Sequence, residues 1–130
     1  MRILVVDDEP DIANFVARVL QARGCACTVL HTAREAFELL ASETFEFVLC
    51  DLQMPSMSGI ELYDALVAAG NPAAARIAFL TGSANSPAHQ DFFRRSGRPY
   101  LEKPFDVQRL KAFVDELAAT QAGPTPLPVP

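Results

Sequence analysis

Hydrophobic and polar positions follow two alternating periods along the chain. Arg2-Ile3-Leu4-Val5-Val6 is a continuous run of mostly branched apolar residues, the pattern of a strand buried on both faces. It ends at Asp7-Asp8-Glu9, and Pro10 then sits where a first helical turn tolerates a missing N–H. Ile12, Val16, Val19 and Leu20 recur at helical spacing, and Gly24 stops that helix. Residues 25–30 read as a second strand. Thr32 with Glu35 three residues on predicts a capping box, and Ala36, Leu39 and Leu40 supply the next apolar stripe. Residues 45–50 read as a third strand, and Asp51 ends it.

Ser58 with Glu61 predicts a second capping box, ahead of an apolar face of Leu62, Leu66 and Val67. Gly70-Asn71-Pro72 ends that helix. Residues 76–80 form a fourth strand, which stops at Thr81-Gly82-Ser83. Ser86-Pro87 opens a short helix containing Phe92 and Phe93, and Ser96-Gly97-Arg98 closes it. Residues 99–102 form a short fifth strand leading to Lys103-Pro104-Phe105. Asp106 caps a last helix with Leu110, Phe113, Val114 and Leu117 on its face. Four prolines among residues 122–130 mark a tail or linker, which is assigned to 121–130 beyond a domain of residues 1–120.

Five strands, each followed by a helix, predict an α/β fold with a parallel sheet covered on both faces. In such sheets ligands bind outside the carboxyl ends of the strands. Polar residues gather at those ends: Asp7 and Asp8, then Asp51, Thr81 and Lys103. Four strand ends on one rim thus carry three carboxylates, a hydroxyl and an ammonium.

Composition narrows the function classes. The 130 residues fit one domain, and a hydrophobic fraction of 50% argues for a folded chain. A net charge of -5 and the lack of a Lys/Arg stripe disfavour a nucleic-acid surface. No stretch has the length of a membrane-spanning helix, and the N-terminus lacks a signal-peptide pattern. Cys25, Cys27 and Cys50, an odd number without a framework, point to a reducing compartment, and the cytoplasm is the expected location. Cys25 and Cys27 alternate on the second strand; they read as small buried hydrophobes in preference to a metal or redox pair.

Three gathered carboxylates repel one another, and one is pushed to protonate unless a cation intervenes. Mg²⁺ answers this need, since it takes oxygen ligands, keeps several waters and uses one or two carboxylates with phosphate oxygens. Lys103 and Thr81 can then hold phosphoryl oxygens while Asp51 acts as nucleophile, giving an aspartyl phosphate. Each residue alone has a plainer reading: an acidic turn at a helix N-terminus, a loop-capping aspartate, an ordinary turn threonine, a surface lysine. His31 and His89 read as isolated. What favours the chemical reading is that all these groups follow successive strands.

The chain resembles the receiver domain of two-component response regulators over nearly its whole length. The matching motifs are Ile3-Leu4-Val5-Val6-Asp7-Asp8-Glu9, Asp51-Leu52-Gln53-Met54-Pro55 with Ser58-Gly59, Thr81-Gly82, and Leu101-Glu102-Lys103-Pro104-Phe105. The resemblance implies a flavodoxin-like (βα)5 doubly wound sandwich of strand order 2-1-3-4-5. It implies Asp51 as phosphoacceptor, Mg²⁺ held by Asp8 and Asp51 with Asp7 acting through water, and the Gln53 backbone carbonyl as a further ligand. It implies Thr81 and Lys103 on the phosphoryl oxygens, Tyr100 as the switch aromatic and a cis Lys103–Pro104 bond. The phosphoryl group would come from a phosphohistidine on a sensor histidine kinase or histidine phosphotransfer protein. Thr81 and Tyr100 would respond, and the face of the fourth helix, fifth strand and fifth helix would change for a downstream protein. In many members that face also pairs two copies, so a homodimer is a candidate. Gln53 and Ser83 lie two residues beyond Asp51 and Thr81, positions that tune phosphoryl lifetime in the family, and residues 86–98 are candidates for partner contact. Such a protein phosphorylates itself and slowly dephosphorylates, and is a switch rather than an enzyme.

Other readings stay open from sequence. The chain could be a stand-alone receiver or the C-terminal receiver of a hybrid histidine kinase, which its Arg98-Pro99-Tyr100-Leu101-Glu102-Lys103-Pro104-Phe105 stretch also suits. A haloacid-dehalogenase-type phosphatase needs a second Asp where Gln53 stands. A flavodoxin needs a Ser/Thr-rich loop where Asp7-Asp8-Glu9 stands. A phosphorylation-independent interaction module has no use for the intact acidic set.

Overall fold

A computed structural model describes residues 1–122. Five strands alternate with five helices: β1 Arg2–Val6, α1 Pro10–Ala22, β2 Ala26–Leu30, α2 Ala33–Leu40, β3 Phe47–Asp51, α3 Gly59–Ala68, β4 Ile77–Thr81, α4 Pro87–Ser96, β5 Tyr100–Glu102 and α5 Val107–Ala122. A 3₁₀ turn, Pro72–Ala75, stands between α3 and β4. All strand pairs are parallel and the order is β2-β1-β3-β4-β5, as the resemblance implied. From residue 123 onward the expected Pro-rich tail lies outside the described residues.

The apolar runs of β1, β3 and β4 are buried on both faces because successive side chains serve opposite layers. Leu4, Val6, Val48, Cys50, Ile77 and Phe79 face α2, α3 and α4. Ile3, Val5, Phe47, Leu49, Ala78 and Leu80 face α1 and α5. The expected face of α5, namely Leu110, Phe113, Val114 and Leu117, is buried in the second layer. The expected face of α3 is corrected at Val67, which is 53% exposed, while Leu62 and Leu66 are fully buried. Val67 lies about a hundred degrees from Leu66 around the helix, outside the stripe the sheet can cover.

The helix caps follow local chemistry. Ser58 Oγ accepts from the Glu61 N–H at 3.1 Å, and Glu61 Oε1 accepts from the Ser58 N–H at 2.9 Å, so the box on α3 is complete. The box expected on α2 is only half formed. Thr32 Oγ1 accepts from the Glu35 N–H, but the Glu35 carboxylate accepts a hydrogen bond from the Thr32 hydroxyl instead of from the backbone N–H. Asp106 Oδ1 caps α5 through the Arg109 N–H at 2.8 Å. Gly97 closes α4 at φ +68°, a conformation that glycine adopts without strain.

Cys25 precedes β2 instead of lying on it, yet both it and Cys27 are half-buried beside the α1/α5 layer. Burial, then the neighbouring Cys25, pushes the Cys27 thiol up to about 11, which suits the apolar reading of the pair.

Candidate functional site: an acidic rim bridged by Lys103

Parallel pairing brings the ends of β1, β3, β4 and β5 to one edge of the sheet. Asp7 follows β1 and is fully buried; Asp51 ends β3 and is 5% exposed. Asp8 is half-buried beside them. One carboxylate oxygen from each of the three lies within 4.8 Å of the others. The approach of α3 crowds this edge: a Cβ on Gly59 would stand 2.7 Å from the Asp51 carbonyl oxygen and 3.0 Å from Leu52 Cα. Only glycine fits there, which gives the Ser58-Gly59 motif a steric cause.

Asp7 and Asp51 are satisfied alike. Asp7 Oδ1 accepts from the Glu9 N–H at 2.9 Å, and Asp51 Oδ1 accepts from the Gln53 N–H at 3.2 Å, each a turn closed two residues on. The remaining oxygens face one cation, with Lys103 Nζ 3.4 Å from Asp7 Oδ2 and 3.2 Å from Asp51 Oδ2. Glu9 Oε1, which the sequence reading left out of the site, lies 3.5 Å from the same ammonium. Lys103 reaches the rim from the loop after β5, where its bond to Pro104 is cis, as expected.

One ammonium does not compensate this much buried negative charge. Burial, and then the neighbouring Asp7, raises Asp51 to about 6, although Lys103 and the Gln53 N–H pull the other way. Asp7 is raised as well, chiefly by burial. Burial alone would lower Lys103, but Asp51 and Asp7 together hold it above its ordinary value. The rim therefore has an unmet demand for positive charge.

The other predicted residues stand around this cluster. Thr81 is fully buried at the end of β4, and its Oγ1 accepts from the Ser83 N–H at 3.1 Å. The side chain thus points along its own loop. Tyr100 is half-buried, its ring stacked on Phe93 with centroids 4.1 Å apart. Phe93 in turn meets Phe79 and Phe92, so an aromatic cluster links β5 to β4 and α4. Gln53 is exposed beside Asp51.

Neither histidine is isolated. His31 Nδ1 lies 3.0 Å from the Asp7 carbonyl oxygen, and His89 Nδ1 meets Ser83. The position of His31 immediately after the second strand was a signal for the first contact. The second joins two segments by a turn that sequence does not display.

A doubly wound parallel sheet with a lysine-bridged acidic cluster at its carboxyl edge defines a receiver-type α/β module. The chain belongs to the response regulator receiver domain family, whose profile matches residues 3–115. The phosphatase and flavodoxin alternatives fall with that match. The chain is 31% identical over 116 residues to the response regulator receiver protein CpdR of Brucella abortus, covering 89% of this chain and 95% of that one. It is 31% identical over 113 residues to the DNA-binding transcriptional regulator NtrC of Escherichia coli, covering 87% of this chain but only 24% of NtrC. Among solved structures it is similar to the response regulator TrrA of Thermotoga maritima, in complex with Mg²⁺-BeF, at 32% identity and TM-score 0.75 (89% and 97% of the two chains). It is also similar to a CheY-like receiver domain protein of Methanospirillum hungatei at 27% identity and TM-score 0.82 (92% and 94%). No helix among the described residues is long and apolar enough to cross a membrane.

Proposed function

We propose that the chain is a phosphoacceptor switch in which Asp51 takes a phosphoryl group from a phosphohistidine on a histidine kinase or phosphotransfer protein. The observation that carries this reading is the rim itself: three carboxylate oxygens within 4.8 Å and Lys103 placed between Asp7 and Asp51. An Asp51 oxygen attacks phosphorus, the N–P bond breaks, and the imidazole leaves with the electron pair and takes a proton. The product is an acyl phosphate. Lys103 already lies against Asp51 Oδ2, so it is on hand for the phosphoryl oxygens. Thr81 supplies a hydroxyl donor once it turns from Ser83.

The donor set fits Mg²⁺. It is all oxygen, and the raised Asp7 and Asp51 report charge that a dication would relieve. Asp8 and Asp51 would hold the ion directly, Asp7 through water, and the Gln53 carbonyl would be a further ligand. When bound, Mg²⁺ supplies positive charge against the phosphoryl oxygens. The TrrA complex with Mg²⁺-BeF supports the assignment by likeness.

The output follows from the aromatic cluster. Movement of Thr81 toward the phosphoryl group opens space behind it, Tyr100 leaves Phe93 to enter that space, and the α4-β5-α5 face changes for a downstream protein. The reading places the chain in the cytoplasm, acting as a switch without turnover of an external substrate.

The test is intact-protein mass spectrometry after incubation with acetyl phosphate, with and without Mg²⁺, for the wild type and Asp51→Asn. A Mg²⁺-dependent adduct on the wild type alone is expected. If the folded wild type takes no phosphoryl group from acetyl phosphate or from a phosphohistidine donor, the proposal fails.

A further inference from the structure

Building on the phosphoacceptor reading, we infer that His89 is a positioning residue that holds Thr81 in its resting orientation through Ser83. The contacts form a chain. Thr81 Oγ1 accepts the Ser83 N–H at 3.1 Å. His89 Nδ1 lies 3.0 Å from the Ser83 carbonyl oxygen and 3.1 Å from Ser83 Oγ. A carbonyl oxygen can only accept, so Nδ1 carries the proton and donates to both oxygens of Ser83. The same carbonyl also accepts the Ser86 N–H at 3.0 Å. One residue further on, the Gln90 side-chain amide donates to the carbonyl of Ala84, which is itself buried. The first turn of α4 therefore grips the 82–86 loop by two side chains.

This grip bears on the switch. Ser83 is the only residue between the Thr81 hydroxyl and His89 in this chain of bonds, and His89 fixes both its carbonyl and its hydroxyl. The carbonyl belongs to the peptide after Ser83 and the N–H to the one before it, so His89 acts on that N–H by restricting the Ser83 backbone angles between the two planes. Any step of Thr81 χ1 carries Oγ1 out of reach of that N–H. Resting Thr81 is thus favoured by a bond whose geometry depends on His89. Conversely, Thr81 turning away releases the Ser83 N–H, the end of a chain of bonds that runs to the start of α4, which couples the acceptor site to a helix on the output face. This is a two-state element biased by a side chain that touches neither Asp51 nor Lys103.

The experiment compares wild type, His89→Ala, His89→Asn, Thr81→Ala and the His89→Ala/Thr81→Ala pair in the full chain. The readouts are the Ser83 amide proton shift and the initial phosphorylation rate with acetyl phosphate and Mg²⁺. His89→Ala should move the Ser83 amide upfield and raise the rate about fivefold, the worth of one ordinary hydrogen bond. Asn places a side-chain N–H where Nδ1 stands and should restore both values. In the Thr81→Ala background, His89→Ala should change the rate no further. Should alanine unfold the chain, His89→Leu keeps the bulk without the donor and makes the same prediction. An unmoved amide and rate in His89→Ala, or an equal rate change in the Thr81→Ala background, overturns the inference. The amide shift needs no phosphoryl donor, so an unreactive Asp51 defeats the proposed function while the clamp is still read.

Discussion

The buried rim makes the folded chain carry a charge it would be more stable without, and Asp51→Asn measures that cost. Asp51 stands at 3.8 in a solvated chain and is raised to about 6 here. The folded state therefore binds more protons than the unfolded state between those values. Stability linked to protonated Asp51 is fully present below about 4 and is lost as pH rises through about 6. A shift of about two units at roughly 1.4 kcal/mol each gives about 3 kcal/mol. For a domain of this size that is on the order of 10 °C in Tm. Asp51→Asn removes the ionisable group, keeps an oxygen for the Gln53 N–H, and leaves Lys103 with Asp7 and Glu9. The assay is urea unfolding of both proteins in EDTA from about pH 5 to about pH 8. The variant should be the more stable at the alkaline end, and its advantage should shrink as pH falls below about 6. Saturating Mg²⁺ should recover about 3 kcal/mol in the wild type at a hundredfold excess over Kd, and less in the variant. A stability difference that does not change with pH, or one that grows on acidification, refutes the argument.

Other outcomes follow from single contacts. Gly59→Ala puts a Cβ against the Asp51 carbonyl and Leu52 Cα, so it should cost about 1–3 kcal/mol and slow phosphorylation, read by urea unfolding and the acetyl phosphate assay. Lys103→Met strips the cation from two buried carboxylates; at about pH 8 it should destabilise by about 3–5 kcal/mol, with much of the loss recovered on acidification. Ser58→Ala removes the Oγ that accepts from the Glu61 N–H, keeps the backbone N–H that donates to Glu61 Oε1, and should cost about 1 kcal/mol at any pH in this range. Val67→Lys, on the uncovered side of α3, should change stability by less than about 0.5 kcal/mol, whereas Phe79→Ala in the core should cost about 3–5 kcal/mol.

At the caps and helix faces, the differences between sequence and structure are side-chain choices made by neighbours. Thr32 and Ser58 carry the same box signature, yet only Glu61 returns to the backbone while Glu35 turns to a hydroxyl. Propensity places the residues, but the carboxylate has two donors within reach, a backbone N–H and a hydroxyl, and either bond has a similar modest worth. Val67 is apolar and helical but faces water, because the sheet covers only part of a helix's circumference. Glu9 joins Lys103 because the loop after β5 crosses the start of α1, a long-range placement without local signature.

Local sequence determined the alternation of strands and helices, their polar stops, and the residue types that stand at the strand ends. Period and turn chemistry act within a few residues, so a chain shows them directly. That Asp7, Asp8, Asp51 and Lys103 form one site was legible only because parallel strands place their carboxyl ends on one rim. The tertiary structure decided what those groups do to each other. Burial and mutual repulsion raise Asp51 to about 6, one ammonium is shared between two buried carboxylates, and Ser83 gives its N–H to Thr81 while its carbonyl meets His89. Such properties depend on distance and on the exclusion of water, and neither exists until the sheet has closed over them.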